Sequence, residues 1–270
     1  MKERLDVLLL QQGYADSREK AKRIIMTGVV FVDGQRVDKA GTAISSDAVI
    51  EVKGAACPYV SRGGLKLEKA LEYFQISLAN KICLDIGAST GGFTDCLLQN
   101  GGEKVYAVDV GYGQLDWKLR NDSRVVNLEK INFRYFDESL LKDDISFVTA
   151  DVSFISLSLI LPVIQQILQE GELVCLVKPQ FEAGREQVGK KGIVREKNVH
   201  KEVLVKITDL AEELGFQVKG MTFSPMTGAK GNVEYLLYAE KSFGNQKMTE
   251  KNFEEIIDHV IIEAHEHLVR

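Results

Sequence analysis

Long hydrophobic runs are scarce in this 270-residue chain. The longest apolar stretch, Phe154 to Ile164, spans 11 residues and contains Pro162. A membrane-spanning helix needs about 20, so a buried core helix is the expected fate. Met1 to Leu10 carries Lys2, Glu3, Arg4 and Asp6 and lacks the pattern of a secretory leader. Cysteine is sparse: Cys57, Cys83, Cys96 and Cys175 show no Cys-x-x-Cys spacing, and three of them lie in apolar runs. They read as reduced core residues of a cytoplasmic protein rather than a disulfide framework. Histidine offers no clustered ligands, because His200 stands apart from His259, His265 and His267, which read as surface residues of a polar helix; no metal is expected. A cationic excess is also missing. The net charge of −5 argues against wholesale coating of nucleic acid.

That average hides local runs. Ser17 to Arg23 sets four cations against one anion, and Gly189 to Lys197 holds Lys190, Lys191, Arg195 and Lys197 against Glu196. A solvated helix face or loop is the ordinary fate of such runs. Apolar content of 45% and charged content of 27% describe an ordinary soluble globular protein, long enough for one large domain and a small one.

The first 53 residues form a compact pattern. Arg4 to Gln12 predicts an amphipathic helix closed by Gly13. Asp16 or Ser17 can cap a second helix that runs to Thr27 and stops at Gly28. Val29 to Val32, Asp33-Gly34 and Gln35 to Val37 read as a hairpin with a type I′ turn, and Ala48 to Lys53 as another strand. Gly54 to Pro58 is small and Pro-terminated, a linker composition. From residue 61 helices alternate with near-continuous apolar strands. Helices are expected at Leu65–Phe74, Thr94–Gln99, Leu157–Leu168 and Val199–Leu214. Strands are expected at Ile82–Ile86, Val105–Val110, Val125–Leu128, Ile145–Ala150 and Leu173–Val177. This alternation implies an α/β fold, an open parallel sheet with helices on both faces. Gln217–Phe223 and Asn232–Ala239 close it with an antiparallel edge, and Lys247 to Leu268 reads as a largely polar helix.

Asp85-Ile86-Gly87-Ala88-Ser89-Thr90-Gly91-Gly92-Phe93-Thr94 follows the first strand of that sheet, where an open α/β fold places its ligand crevice. A dinucleotide fingerprint needs G-x-G-x-x-G, and here Gly87 is followed by Gly91 and Gly92. Asp109 ends the second strand, where a carboxylate can accept both hydroxyls of an adenosine ribose. An acidic residue ahead of the glycines suits S-adenosylmethionine, which carries an ammonium and a cationic sulfur.

Four charges stand beside apolar runs: Lys66, Asp151, Lys178 and Glu234. Burying them is costly unless they pair. Each alone has a plainer reading: an exposed helix lysine, a helix cap, a strand-end residue, an edge-strand charge. Placed together beside a cofactor loop, they form a candidate proton-abstraction site. The Asn/Asp-Pro-Pro-Tyr/Phe element of amino-directed methylation is absent, with Asp151-Val152-Ser153-Phe154 in its place, and Cys175 lies inside an apolar strand.

These residues carry a resemblance. Lys66, Asp151, Lys178 and Glu234, with the loop from Asp85 to Thr94, resemble the Lys-Asp-Lys-Glu tetrad and cofactor loop of the TlyA-type haemolysin and ribosomal-RNA methyltransferase family. Its catalytic domain is similar to the FtsJ-like 2′-O-ribose methyltransferases. The N-terminal pattern resembles the small αL RNA-binding domain of a ribosomal small-subunit protein. The resemblance covers all but the last helix. It implies a Rossmann-like S-adenosylmethionine-dependent methyltransferase domain at 58–244, a small α+β RNA-binding domain at 1–57 and a C-terminal helix at 245–270. It implies methylation of a ribose 2′-hydroxyl in ribosomal RNA, cytidine by family habit, with Lys178 as base, Asp151 and Lys66 tuning it, and Glu234 holding Lys66 or the hydroxyl. Asp85, Gly87, Ser89, Thr90, Gly91, Gly92, Phe93 and Asp109 are then the expected cofactor residues. Arg4, Arg18, Lys20, Lys22 and Arg23 are the expected RNA contacts, with ribosomal RNA or ribosomal subunits as partners and no membrane. Three other readings stay open at this point: a membrane-active haemolysin, an RNA-binding or assembly module without turnover, and methylation of a small hydroxylated substrate.

Overall fold

The computed structural model describes residues 2–15, 17–52, 57–228, 230–242 and 253–269. The chain divides into two compact units, Met1–Leu65 and Lys66–Arg270. The division falls inside a helix, whereas the sequence places a boundary at 57/58; residues 54–56 of the expected linker lie outside the described residues.

In the first unit, α1 (Leu5–Gln11) and α2 (Arg18–Met26) bury Leu5, Leu8, Leu9, Ala21 and Ile25 at three- and four-residue spacings against Val30, Val32 and Ile50. Ser17 Oγ accepts from Lys20 N at 3.2 Å and caps α2, while Asp16 is outside the described residues. β2 (Val30–Val32) pairs antiparallel with β3 (Gln35–Arg36) through Asp33 and Gly34, both at positive φ (50° and 77°). That is the backbone of a type I′ turn. β5 (Ile50–Val52) pairs on the other side of β2; Lys53 is not described. The expected helix from Arg4 starts one residue later, because Lys2–Arg4 forms β1 and pairs with β4 (Ala43–Ser45). Both strands are three residues long and mostly exposed, so neither leaves an apolar signature.

The second unit is built on a seven-stranded sheet of order β11-β12-β10-β9-β6-β7-β8. Its strands are β6 (Ile82–Ile86), β7 (Lys104–Asp109), β8 (Val125–Glu129), β9 (Phe147–Ala150), β10 (Gly171–Val177), β11 (Gln217–Phe223) and β12 (Tyr235–Lys241). The first five run parallel, and β12 and β11 close the sheet antiparallel, as the sequence predicts. β6 sits mid-sheet with β7 and β8 to one side and β9 and β10 to the other, so the order reverses between β6 and β9. Ligands of such sheets bind outside the carboxyl ends at that reversal. Helices α3 (Gly63–Phe74), α4 (Gly92–Gln99), α5 (Trp117–Arg120), α6 (Leu161–Ile167), α7 (Pro179–Glu182), α8 (Lys197–Glu213) and α9 (Phe253–Leu268) fall between or after the strands. Cys83, Cys96 and Cys175 are buried free thiols, and burial pushes Cys83 up to about 12.

Three expectations are corrected. The helix expected at Leu157–Leu168 is a 3₁₀ turn at Leu157–Leu159 followed by α6, because Pro162 fits only in a first helical turn. The last strand begins at Tyr235, leaving Asn232, Val233 and Glu234 in the approach to it. The C-terminal helix is amphipathic rather than largely polar. Ile257, Val260, Ile261 and Ala264 are buried on one face of α9, and residues 247–252 of the expected helix are not described. The same face brings His265 to His200, with ring centroids 5.0 Å apart, so these two histidines are neighbours. No described helix is long and apolar enough to cross a membrane.

Candidate active site

A cleft of about 470 Å³ opens at the carboxyl ends of β6, β7 and β9, lined by Gly87, Ser89, Asp109, Ile131, Phe133 and Asp151 among others. Gly87 must be glycine. It holds φ +84°, and a Cβ there would lie 2.5 Å from the Asp151 carbonyl oxygen. Asp109 accepts from Ser89 N at 2.8 Å and from Gly111 N at 2.6 Å, which aims its carboxylate along the rim. A carboxylate, Asp109, beside the apolar side chains of Ile131 and Phe133 suits an adenosine, which pairs ribose hydroxyls with a base that is apolar on its faces. The residues present therefore fit an adenosine-containing cofactor.

The rest of the expected loop set does not line this cleft. Asp85 is fully buried, with its Oδ2 accepting from Thr94 Oγ1 at 2.6 Å and its Oδ1 from Thr149 Oγ1 at 3.1 Å. Burial pushes its carboxyl up to about 7 against the pull of those two hydroxyls. Asp85 thus ties β6 to α4 and β9 and is not among the residues that line the cleft. Gly91 caps α4, Gly92 and Phe93 are buried in its first turn, and the Thr90 carbonyl accepts from Asp116 N at 3.1 Å.

The four charges do assemble. Asp151 follows β9, Lys178 follows β10, Glu234 precedes β12 and Lys66 lies on α3, so each element end delivers one side chain. Lys178 Nζ lies 2.5 Å from Asp151 Oδ1 and donates to Ser153 Oγ at 3.0 Å. Lys66 Nζ lies 2.6 Å from Glu234 Oε2 and 4.0 Å from Asp151 Oδ2. The result is an alternating chain Lys178–Asp151–Lys66–Glu234 in which each carboxylate faces an ammonium. Burial raises the Asp151 carboxyl, but Lys66 and then Lys178 outweigh it and hold the group below its ordinary value. Glu234 stacks against Gly228, where any Cβ would strike its carboxylate.

Two features escape a reading of the sequence. Phe154, three residues after Asp151, is 90% exposed at φ +64° and pairs with Phe181 at 5.1 Å between centroids. A bulky residue at positive φ is rare and strained. Asn232 is buried and hydrogen-bonded to a distant loop, through Val194 N to its Oδ1 at 3.0 Å and its Nδ2 to Gly192 O at 2.8 Å. Periodicity reveals neither.

In the first unit, the expected cations are not all available to a ligand. Arg4 Nε and Arg18 Nη2 each lie 2.9 Å from the carboxylate of Asp6, which is fully buried, though both guanidinium groups stay half exposed. Lys22 pairs with Glu19 at 2.7 Å, Lys20 is exposed, and the Arg23 side chain lies outside the described residues.

Comparison with known proteins agrees with this architecture. A model described as FtsJ-like methyltransferase matches residues 59–241, and the S4 domain matches residues 3–50. The chain is 54% identical, over 99% of its length and 95% of the relative's, to a candidate rRNA methyltransferase, YqxC, of Bacillus subtilis. It is 41% identical, over 97% of its length and 98% of the relative's, to the 16S/23S rRNA (cytidine-2′-O)-methyltransferase TlyA of Mycobacterium tuberculosis. A solved candidate hemolysin from Streptococcus thermophilus superposes with a TM-score of 0.77 at 50% identity, covering 98% of this chain and 96% of that one. The chain belongs to the TlyA family of FtsJ-like methyltransferases, whose methyltransferase fold follows an S4 domain.

Proposed function

We propose that this protein transfers a methyl group from S-adenosylmethionine to a ribose 2′-hydroxyl of ribosomal RNA, with cytidine as the nucleoside and Lys178 as the base. The observation that carries this reading is the alternating chain of four buried or half-buried charges beside the cleft. Bound in the cleft, the cofactor supplies an electrophilic methyl carbon on a sulfonium. A 2′-hydroxyl is a weak nucleophile until its proton leaves, and an ammonium accepts no proton. The Lys178 amine must therefore be neutral at attack. Asp151 orients that amine and, with Ser153, fixes where its lone pair points. Lys66 shares Asp151 and is itself held by Glu234, so the second lysine keeps the carboxylate from committing wholly to the first. Gly87, Ser89 and Asp109 hold the cofactor, while Asp85, Thr90, Gly91, Gly92 and Phe93 shape the loop that places them. Methyl transfer is a displacement in line, so positioning supplies much of the rate. Arg4, Arg18, Lys20, Lys22 and Arg23 of the S4 domain meet RNA phosphates, which orient the substrate without reading its sequence.

Labelled cofactor and separated ribosomal subunits test the reading. Lys178→Ala is expected to lower transfer by at least ~10²-fold with cofactor binding kept, and Asp109→Ala to weaken cofactor binding instead. Undiminished transfer by Lys178→Ala removes it as the base, and mapping the modified ribose checks the nucleoside.

A further inference from the structure

The second unit carries a group of cations that the tetrad does not use. Residues 185–197 hold Arg185, Lys190, Lys191, Arg195 and Lys197 against only Glu186 and Glu196. Lys190, Lys191, Arg195, Lys197 and nearby Lys230 are exposed, and none of them forms an ion pair among the described residues. A solvated loop remains the ordinary reading of composition alone.

The structure sets this loop apart by how firmly it is built. Gly192 N donates to Gly189 O at 2.7 Å and Gly189 N to Ile193 O at 3.1 Å, closing a tight turn. Asn232 grips that turn from below through Val194 N and Gly192 O. His200 Nε2 meets Val194 O at 3.1 Å from the other side. Lys230 folds across the same turn: a Cβ at Gly192 would lie 3.3 Å from its Nζ. The cations are thus carried on backbone that is ordered before any ligand arrives.

Between this loop, Lys230 and the end of α9 lies a cleft of about 230 Å³ lined by Arg195, Lys230, Val194, Val233 and His265. The His265 Nε2 is enclosed and has no hydrogen-bond partner among the described residues. A buried polar atom without a partner is costly and calls for an explanation. Burial first, and then the charge of Lys197, hold His265 below its ordinary value. The guanidinium of Arg195 and the ammonium of Lys230 beside a small polar cleft match one ligand chemistry, the oxygens of a phosphate.

We infer that this cleft docks a backbone phosphate of the RNA substrate, a second point of attachment that rests on the methyl transfer to RNA proposed above. Its value to that reaction is geometric. Asn232, which holds the loop, lies two residues before Glu234, which holds Lys66. A phosphate bound between Arg195 and Lys230 and a ribose presented to Lys178 are therefore referred to one stretch of backbone.

The full-length double variant Arg195→Ala/Lys230→Ala tests the inference with separated ribosomal subunits. KM for the subunit is expected to rise at least roughly tenfold, with cofactor affinity kept, and the log–log salt dependence of RNA binding to flatten by about two contacts. The charge-conserving Arg195→Lys/Lys230→Arg variant restores most of that slope. Unchanged KM and slope overturn the inference, as does a loss of kcat without a change in KM, which marks a structural role instead. If the double variant loses binding to phosphatidylglycerol vesicles but not to RNA, the occupant is a membrane surface and the inference fails. If the unaltered protein transfers no methyl to either subunit yet binds RNA through Arg195 and Lys230, the methylation reading falls and the phosphate site stands.

Discussion

Asp6, Asp85 and Asp151 are three buried or half-buried carboxylates with three different fates, set by what faces each one. Two guanidinium groups hold Asp6 at about 2, hydrogen bonding from Arg4 being the largest influence. Two ammonium groups hold Asp151 low, and Asp85, with hydroxyl and backbone donors but no cation beside it, is pushed by burial up to about 7. For Asp6 the sign is that of a depressed carboxylate. Its stabilising effect is complete above the unfolded value of roughly 3.9 and is lost as pH falls toward about 2. Asp6→Asn should therefore destabilise the first unit near neutrality, with a penalty that shrinks steadily between those two values. Denaturant unfolding of both proteins across that range checks it; a pH-independent penalty removes the ion pairs as the cause. At this scale the sequence is uneven. Lys66, Asp151 and Lys178 stand out because charge interrupts apolar runs. The clasp of Arg4 and Arg18 on Asp6 does not, because a charged residue two positions from another reads as ordinary solvated surface.

Elements were legible in proportion to their apolar periodicity. β6 and β11 match their expected ranges residue for residue, since both are buried strands bounded by turn residues. β1 and β4 are short and polar and leave no apolar signal, and α9 reads as polar because its buried residues are diluted by the carboxylates among them. The segment before β12 shows why an element boundary matters to chemistry. Glu234 sits off the strand, where Gly228 leaves room for its carboxylate. Gly228→Ala is expected to push that carboxylate away from Lys66 and lower methyl transfer by up to about 10²-fold. Thermal unfolding should move little and cofactor affinity not at all. Initial rates set beside a melting curve decide between displacement and general destabilisation.

At the scale of the whole molecule, strand–helix alternation announced the α/β class, and the closing pair announced the antiparallel edge. The order of strands was not legible, because it depends on which side of β6 each crossover returns to. That order has a kinetic consequence. Lys66 and Glu234 are separated by 168 positions in the chain. Glu234 leads into β12, which lies between β10 and β11, so it reaches Lys66 only once that strand is in place. Contacts so distant in sequence close late, since the loop entropy must be met before they can reward it. Recovery of methyl transfer on refolding from denaturant should lag behind recovery of helical circular dichroism, and a chain stopped before residue 234 should have none. Simultaneous recovery of both signals contradicts this. On a ribosome, a nascent chain that carries only its S4 domain and cofactor loop has not yet gained Lys178 or Glu234, so the four charges cannot assemble until the strands that deliver them have been made.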